Sequence, residues 1–171
     1  MFAPDGQATT HYDKVHLFGF DNGTERYDEA RTLQPGTQLV AFEAITDNDA
    51  LRVGLSICYD LRFPELYRAL MKPPCDVICV PAAFTRTTGQ AHWELLLRAR
   101  AVENQCYVLA SAQAGLHENG RRTWGHSMVI DPWGEVLDVL PEGEGFVIAD
   151  VSQQRIGQVR AQLPALQHRR L

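Results

Sequence analysis

The sequence predicts an α/β protein, and three features of its patterning do so. Short apolar runs at residues 51–57, 77–80 and 106–112 read as strands, and segments of helical periodicity fall between them, one opening at Pro64 and one over residues 90–104. Further strand-like runs then follow, closed by a last helix.

Residues 1–13 read as a strand pair around the Asp5-Gly6 turn, and Tyr12 resumes the apolar pattern. Only Met1, Phe2 and Ala3 precede that region, which is short for a first strand, so the chain is expected to open in the middle of an element. Residues 19–36, rich in Gly, Asp, Glu and Thr and closed by Pro35-Gly36, read as one long loop, and a loop of that length in a compact domain is usually functional. Strands are expected at 39–42 and 51–57 around the acidic turn Asp47-Asn48-Asp49. In the second of them Val53, Leu55 and Ile57 alternate with Arg52, Gly54 and Ser56, the signature of a half-buried strand.

Pro64 opens a helix with Leu66, Tyr67, Leu70 and Met71 on one face, stopped by Pro73-Pro74, which lack amide donors. Residues 77–80 are apolar throughout, as in a strand buried on both faces. Trp93, Leu96, Leu97 and Ala101 recur at helical spacing over 90–104. Residues 127–130 and 136–140 form a hairpin about Asp131-Pro132-Trp133-Gly134, and 146–151 a further strand. Ser152 caps a last helix through Ile156, Val159 and Leu163, ended by Pro164. The polar, basic tail 167–171 is expected to be mobile unless a partner chain holds it.

With 171 residues and 45% hydrophobic content the chain can bury one sizeable core, so a single domain over 1–171 is expected. Acidic side chains outnumber basic ones 21 to 16, the net charge is -5, and no run of Lys or Arg suggests a phosphate-binding face, which argues against nucleic acid as a partner. No apolar run approaches the roughly 18 residues of a membrane span. The first six residues lack the basic and apolar regions of a signal sequence, so no membrane partner and a cytoplasmic location are expected. Of the four cysteines, Cys75 and Cys79 have a spacing that occasionally marks metal ligands. They flank Asp76-Val77-Ile78 in a buried strand, where successive side chains alternate faces, so a core role is expected in place of zinc. Reduced thiols, no metal and no cofactor are expected.

Cys58 stands at a strand-to-helix junction. There a helix dipole and exposed backbone N–H groups lower a thiol pKa and can receive a developing oxyanion, and the competing reading is a small buried core cysteine. Two motifs favour the nucleophile. Tyr12-Asp13-Lys14-Val15-His16-Leu17-Phe18 and Gly54-Leu55-Ser56-Ile57-Cys58-Tyr59-Asp60-Leu61-Arg62-Phe63-Pro64-Glu65 resemble the lysine and cysteine motifs of the nitrilase superfamily, the carbon–nitrogen hydrolases. His92 to Val108 and Gly125-His126-Ser127-Met128-Val129-Ile130-Asp131-Pro132-Trp133-Gly134 extend the likeness along the chain, closest to the Nit branch of omega-amidases and deaminated-glutathione amidases.

That resemblance implies a four-layer α-β-β-α sandwich, N-terminally truncated, whose absent first third would hold a general-base glutamate, and a homo-oligomer, usually a dimer. It implies a thiol amidohydrolase cleaving a small linear amide to acid and ammonia through a thioester. Cys58 would be the nucleophile, with Lys14 beside it and Glu29 as auxiliary glutamate. The Tyr59 backbone N–H would serve as oxyanion donor, and Phe84, Thr85 and Trp124 would line the pocket. His16, His92 and His126 would be structural or pocket-lining, and Arg62 with Glu65 would form an ion pair fixing the loop. The alternative is an inactive nitrilase-fold remnant or one half of a split enzyme acting by association with another chain; N-acyl transfer is a third reading.

Overall fold

The structure, a computed structural model, describes residues 1–45 and 50–170; the expected Asp47-Asn48-Asp49 turn lies outside the described residues. The strands are β1 (Gly19–Asp21), β2 (Arg26–Asp28), β3 (Ala41–Ile45), β4 (Ala50–Leu55), β5 (Val77–Cys79), β6 (Tyr107–Ala110), β7 (Ala114–Leu116), β8 (Arg122–Trp124), β9 (Ser127–Ile130) and β10 (Val136–Leu140). The helices are α1 (Pro64–Leu70), α2 (Arg86–Asn104), α3 (Gln153–Gln162) and α4 (Ala165–His168), with 3-10 turns at Glu29–Arg31 and Cys58–Arg62.

Six strands form one sheet in the order β10-β9-β6-β5-β4-β3. The central strands β4, β5 and β6 are parallel, and the crossovers joining them hold α1 and α2. β3, β9 and β10 pair antiparallel. Leu66, Tyr67 and Leu70 of α1 and Trp93, Leu97 and Ala101 of α2 bury their apolar faces on Ile78, Val108, Met128 and Ile130. On the opposite face Ile156 of α3 packs with Val53, Val77 and Tyr107, while Phe42, Leu51 and Leu109 stay partly covered. The described residues therefore build a central sheet with α1 and α2 on one face and α3 on the other, the α/β arrangement expected from the sequence.

Local chemistry sets the element ends. Thr85 caps α2, its hydroxyl accepting from the Thr88 amide at 3.3 Å, so the helix begins four residues before residue 90. Ser152 caps α3 as expected, accepting from the Arg155 amide at 3.1 Å. In the strand through Ser56 the half-buried reading fails. Ser56 is buried, donates to the Cys79 carbonyl at 2.9 Å and accepts from the Tyr67 hydroxyl at 2.9 Å, because sheet and helices cover both sides there.

Other expectations change more. The opening strand pair is reduced to one bridge, Phe2 to Ala8. The long loop of 19–36 contains the hairpin β1–β2 and a 3-10 turn, and a second unforeseen hairpin is β7–β8. Residues 146–151 form no strand: Phe146 and Ile148 are exposed, and the Ile148 amide donates to the Asp138 carboxylate, with no ladder partner among the described residues. Just ahead of the tail, Leu166 of α4 packs against the main core, and the helix runs on into residues 167–168. All four cysteines are free thiols. No helix among the described residues is long and apolar enough to cross a membrane.

Candidate active site

Beyond β4 the chain enters the 3-10 turn with Cys58 at φ +49°, a left-handed conformation that is costly for a side chain bearing a Cβ. The turn is fixed by hydrogen bonds. The Cys58 amide donates to the Pro81 carbonyl at 2.9 Å, and the buried Arg100 guanidinium donates to the Leu61 carbonyl at 2.7 and 3.1 Å. Cys58 thus lies at the expected strand-to-helix junction between β4 and α1, but it opens a separate 3-10 turn six residues ahead of α1.

Electrostatics corrects the expectation for the thiol as well. Burial pushes Cys58 above its ordinary range, ahead of an Ala83 backbone hydrogen bond and the Lys14 charge, which pull it down; Glu29 and Asp60 add to the rise. The Lys14 influence has the expected sign but is outweighed by desolvation.

Lys14 is paired with Glu29, whose Oε2 also accepts the Phe18 amide at 2.8 Å. The 3-10 turn of Glu29–Arg31 and a Glu29 amide bond to the Phe18 carbonyl at 3.0 Å hold that carboxylate in place. Lys14, Glu29, Cys58, Tyr59, Phe84 and Thr85 all line one cavity of about 730 Å³. The Tyr59 amide, second in the 3-10 turn, lacks a partner inside the turn and is available as a donor. The Tyr59 ring lies edge-on to Phe18 and Phe63, with centroids 5.0 and 5.3 Å away.

Trp124 does not line the cavity. Thr123 of β8 reaches the cavity, while Trp124 packs on Gly89 of α2 and stacks on His126 at 4.3 Å. The Arg62–Glu65 ion pair is also absent among the described residues. Arg62 turns to the cavity wall, with its guanidinium 5.3 Å from the Phe84 ring and 3.3 Å from His92 Nδ1. His16, His92 and His126 do not line the cavity.

Sequence reasoning missed His117, Arg121 and Arg122, which line the cavity from the β7–β8 hairpin. The signal was present in Asn119-Gly120, a strong hairpin turn dipeptide. Among the described residues no group of three or more His, Cys, Asp or Glu is placed to hold a metal ion. What the cavity offers is a thiol, an ammonium held by a carboxylate, backbone donors, a histidine and three arginines.

Residues 1–161 match the carbon-nitrogen hydrolase family. A deaminated glutathione amidase from Synechocystis sp. is 49% identical over 173 residues, covering 99% of this chain and 62% of that protein. Omega-amidase NIT2 of Danio rerio is 43% identical over 171 residues, covering 99% of this chain and 60% of the relative. The crystal structure of the C. elegans NitFhit protein superposes with a TM-score of 0.88 at 42% identity, covering 99% of this chain and 40% of that one. The chain therefore spans less than two thirds of the curated relatives it matches.

Proposed function

The chain belongs to the carbon–nitrogen hydrolase family, and from that premise we propose that it hydrolyses a small linear amide to a carboxylic acid and ammonia through a thioester on Cys58. The observation that supports this reading is the meeting in one cavity of the Cys58 thiol, the Lys14–Glu29 pair and the Tyr59 amide. Cys58 gives its proton to the Glu29 carboxylate in the same cavity, from which it passes to the departing nitrogen, and the sulfur attacks the amide carbon while the carbonyl electrons move onto oxygen. The Lys14 ammonium and the Tyr59 N–H donate to that oxyanion, in a site where burial makes such donors effective. Collapse of the tetrahedral species expels the amine with a proton. Water then attacks the thioester, releasing the acid and restoring the thiol.

Glu29 keeps the ammonium aimed into the cavity by pairing with it. Phe84 and Thr85 form the wall on which the acyl portion rests. Arg62, with no carboxylate partner among the described residues, supplies a cation for an acidic group on that portion. Residues 1–171 act in this reading as a single hydrolase domain, homodimeric as the family resemblance implies and cytoplasmic as read from the sequence.

The test is covalent trapping. Incubation with fluoroacetamide followed by peptide mass spectrometry is expected to place the adduct on Cys58 and to give none in Cys58→Ala. An adduct on Cys79, the other partly exposed thiol, with Cys58 unmodified, would refute the assignment.

A further inference from the structure

Asp60 has no solvent exposure, and the hydrolysis described above makes no use of it. Its carboxylate accepts four hydrogen bonds, two on each oxygen. Oδ1 takes the His16 amide at 2.9 Å and His16 Nδ1 at 2.8 Å; Oδ2 takes the Tyr12 hydroxyl at 2.8 Å and the Ile57 amide at 2.9 Å. Ile57 adjoins Cys58. Tyr12 and His16 flank Lys14, more than forty residues away in sequence. The Val15 amide, between them, donates to the same Tyr12 hydroxyl at 3.2 Å.

We infer that Asp60 is a positioning residue for the Lys14–Cys58 pair: its carboxylate ties the Tyr12–His16 segment to the nucleophile turn and thereby fixes where the ammonium stands relative to the sulfur. This rests on the hydrolase reading above. Burying a carboxylate is expensive unless every oxygen is satisfied, and an apolar side chain could fill the same space without that cost. The charge instead supplies direction. Its four donors arrive from both stretches that must meet, and the peptide bearing Lys14 is held on either side.

The groups acting on the sulfur separate this role from a purely electrostatic one. Lys14 lowers the thiol pKa, whereas the Asp60 anion raises it. Asp60 therefore opposes the thiolate as a charge and favours it as an anchor, so removing it has opposite signs in the two cases.

The experiment reads the pH midpoint of Cys58 alkylation by iodoacetamide, quantified by mass spectrometry on the whole chain. Asp60→Asn is expected to raise the midpoint although an anion has gone. His16→Ala, which keeps the Asp60 charge and three of the four bonds, is expected to raise it by about one unit, roughly tenfold slower alkylation at a fixed pH below the midpoint. His16→Asn places an NH₂ near the position of Nδ1 and is expected to restore the wild-type value, although it lacks the ring that stacks on Phe63 at 3.7 Å. In a Lys14→Met background His16→Ala is expected to add nothing, because its effect runs through the ammonium. A lower midpoint in Asp60→Asn, or an unmoved one in His16→Ala, overturns the inference; should Asp60→Asn fail to fold, the His16 pair decides. Alkylation needs no turnover. Shifted midpoints without amide turnover would defeat the hydrolase reading alone, and Cys58-dependent turnover with unmoved midpoints would defeat the positioning role alone.

Discussion

Replacing Gly89 by alanine tests the contact that closes α2 against the β7–β8 hairpin. A Cβ built at Gly89 stands 2.3 Å from Trp124 Cβ and 2.5 Å from Trp124 Cγ. Both Cβ positions are set by backbone, so no rotamer relieves the overlap and α2 must part from β8. Alanine gains about 1 kcal/mol over glycine in helix propensity. Overpacking of well-filled sites costs about 1–3 kcal/mol, and a clash between two backbone-fixed atoms belongs at the upper end. The difference is a net loss of about 2 kcal/mol, which for a chain of this length corresponds to a fall of about 4–8 °C in Tm. Gly157 supplies the contrast: it lies inside α3, where an added Cβ would meet nothing within 4 Å, so Gly157→Ala is expected to raise Tm by about 2–4 °C. Scanning calorimetry of the three proteins in one buffer measures both shifts. An unchanged or higher Tm in Gly89→Ala would refute the packing of α2 on β8, and with it the placement of Thr88 and Thr123 on the cavity wall.

Two further outcomes follow from burial. Leu97 is fully buried between α2 and the sheet, so Leu97→Ala is expected to cost about 2–5 kcal/mol, seen as a lower urea midpoint at unchanged slope. Burial lifts the Cys75 thiol from 9.0 to about 11, so the folded chain holds a proton that the unfolded chain loses. That stability is fully present below pH 9.0 and is lost as pH rises toward about 11, by roughly 3 kcal/mol at most. Thermal melts between pH 8 and 11 are expected to fall, less steeply in Cys75→Ala; equal slopes would contradict the burial argument.

The parallel core was legible because its strands are apolar on both faces and its helices are long enough for periodicity to speak. Val77, Ile78 and Val108 of the sheet, and Trp93, Leu97 and Ala101 of α2, occupy the positions their spacing predicts. The hairpins were harder. β1, β2, β7 and β8 have three residues each, too few for alternation to register, and all but β7 include charged side chains. Residues 146–151 show the opposite failure: apolar alternation signals strand potential, but a ladder also needs a neighbour, which local sequence does not report. At the cavity, the family resemblance pointed to Lys14, Glu29, Cys58 and Tyr59 and the strand-end positions to Phe84 and Thr85, and all six line one cavity, while Trp124 and Arg62 were misplaced because the direction a side chain takes depends on packing. The raised Cys58 pKa was likewise illegible, since desolvation is a property of the assembled surroundings.

The parallel run of β4, β5 and β6 has a consequence for how this scaffold tolerates change. Cys58, Phe84 and Gln113 each lie just past the carboxyl end of one of these strands, and all three face the same cavity. The ladders lie behind them, so a residue beyond one strand can be exchanged without re-registering the next. In the hydrolase proposed above, the acyl-binding wall and the nucleophile are thus mounted on separate loops of one rigid frame, free to diversify at different rates.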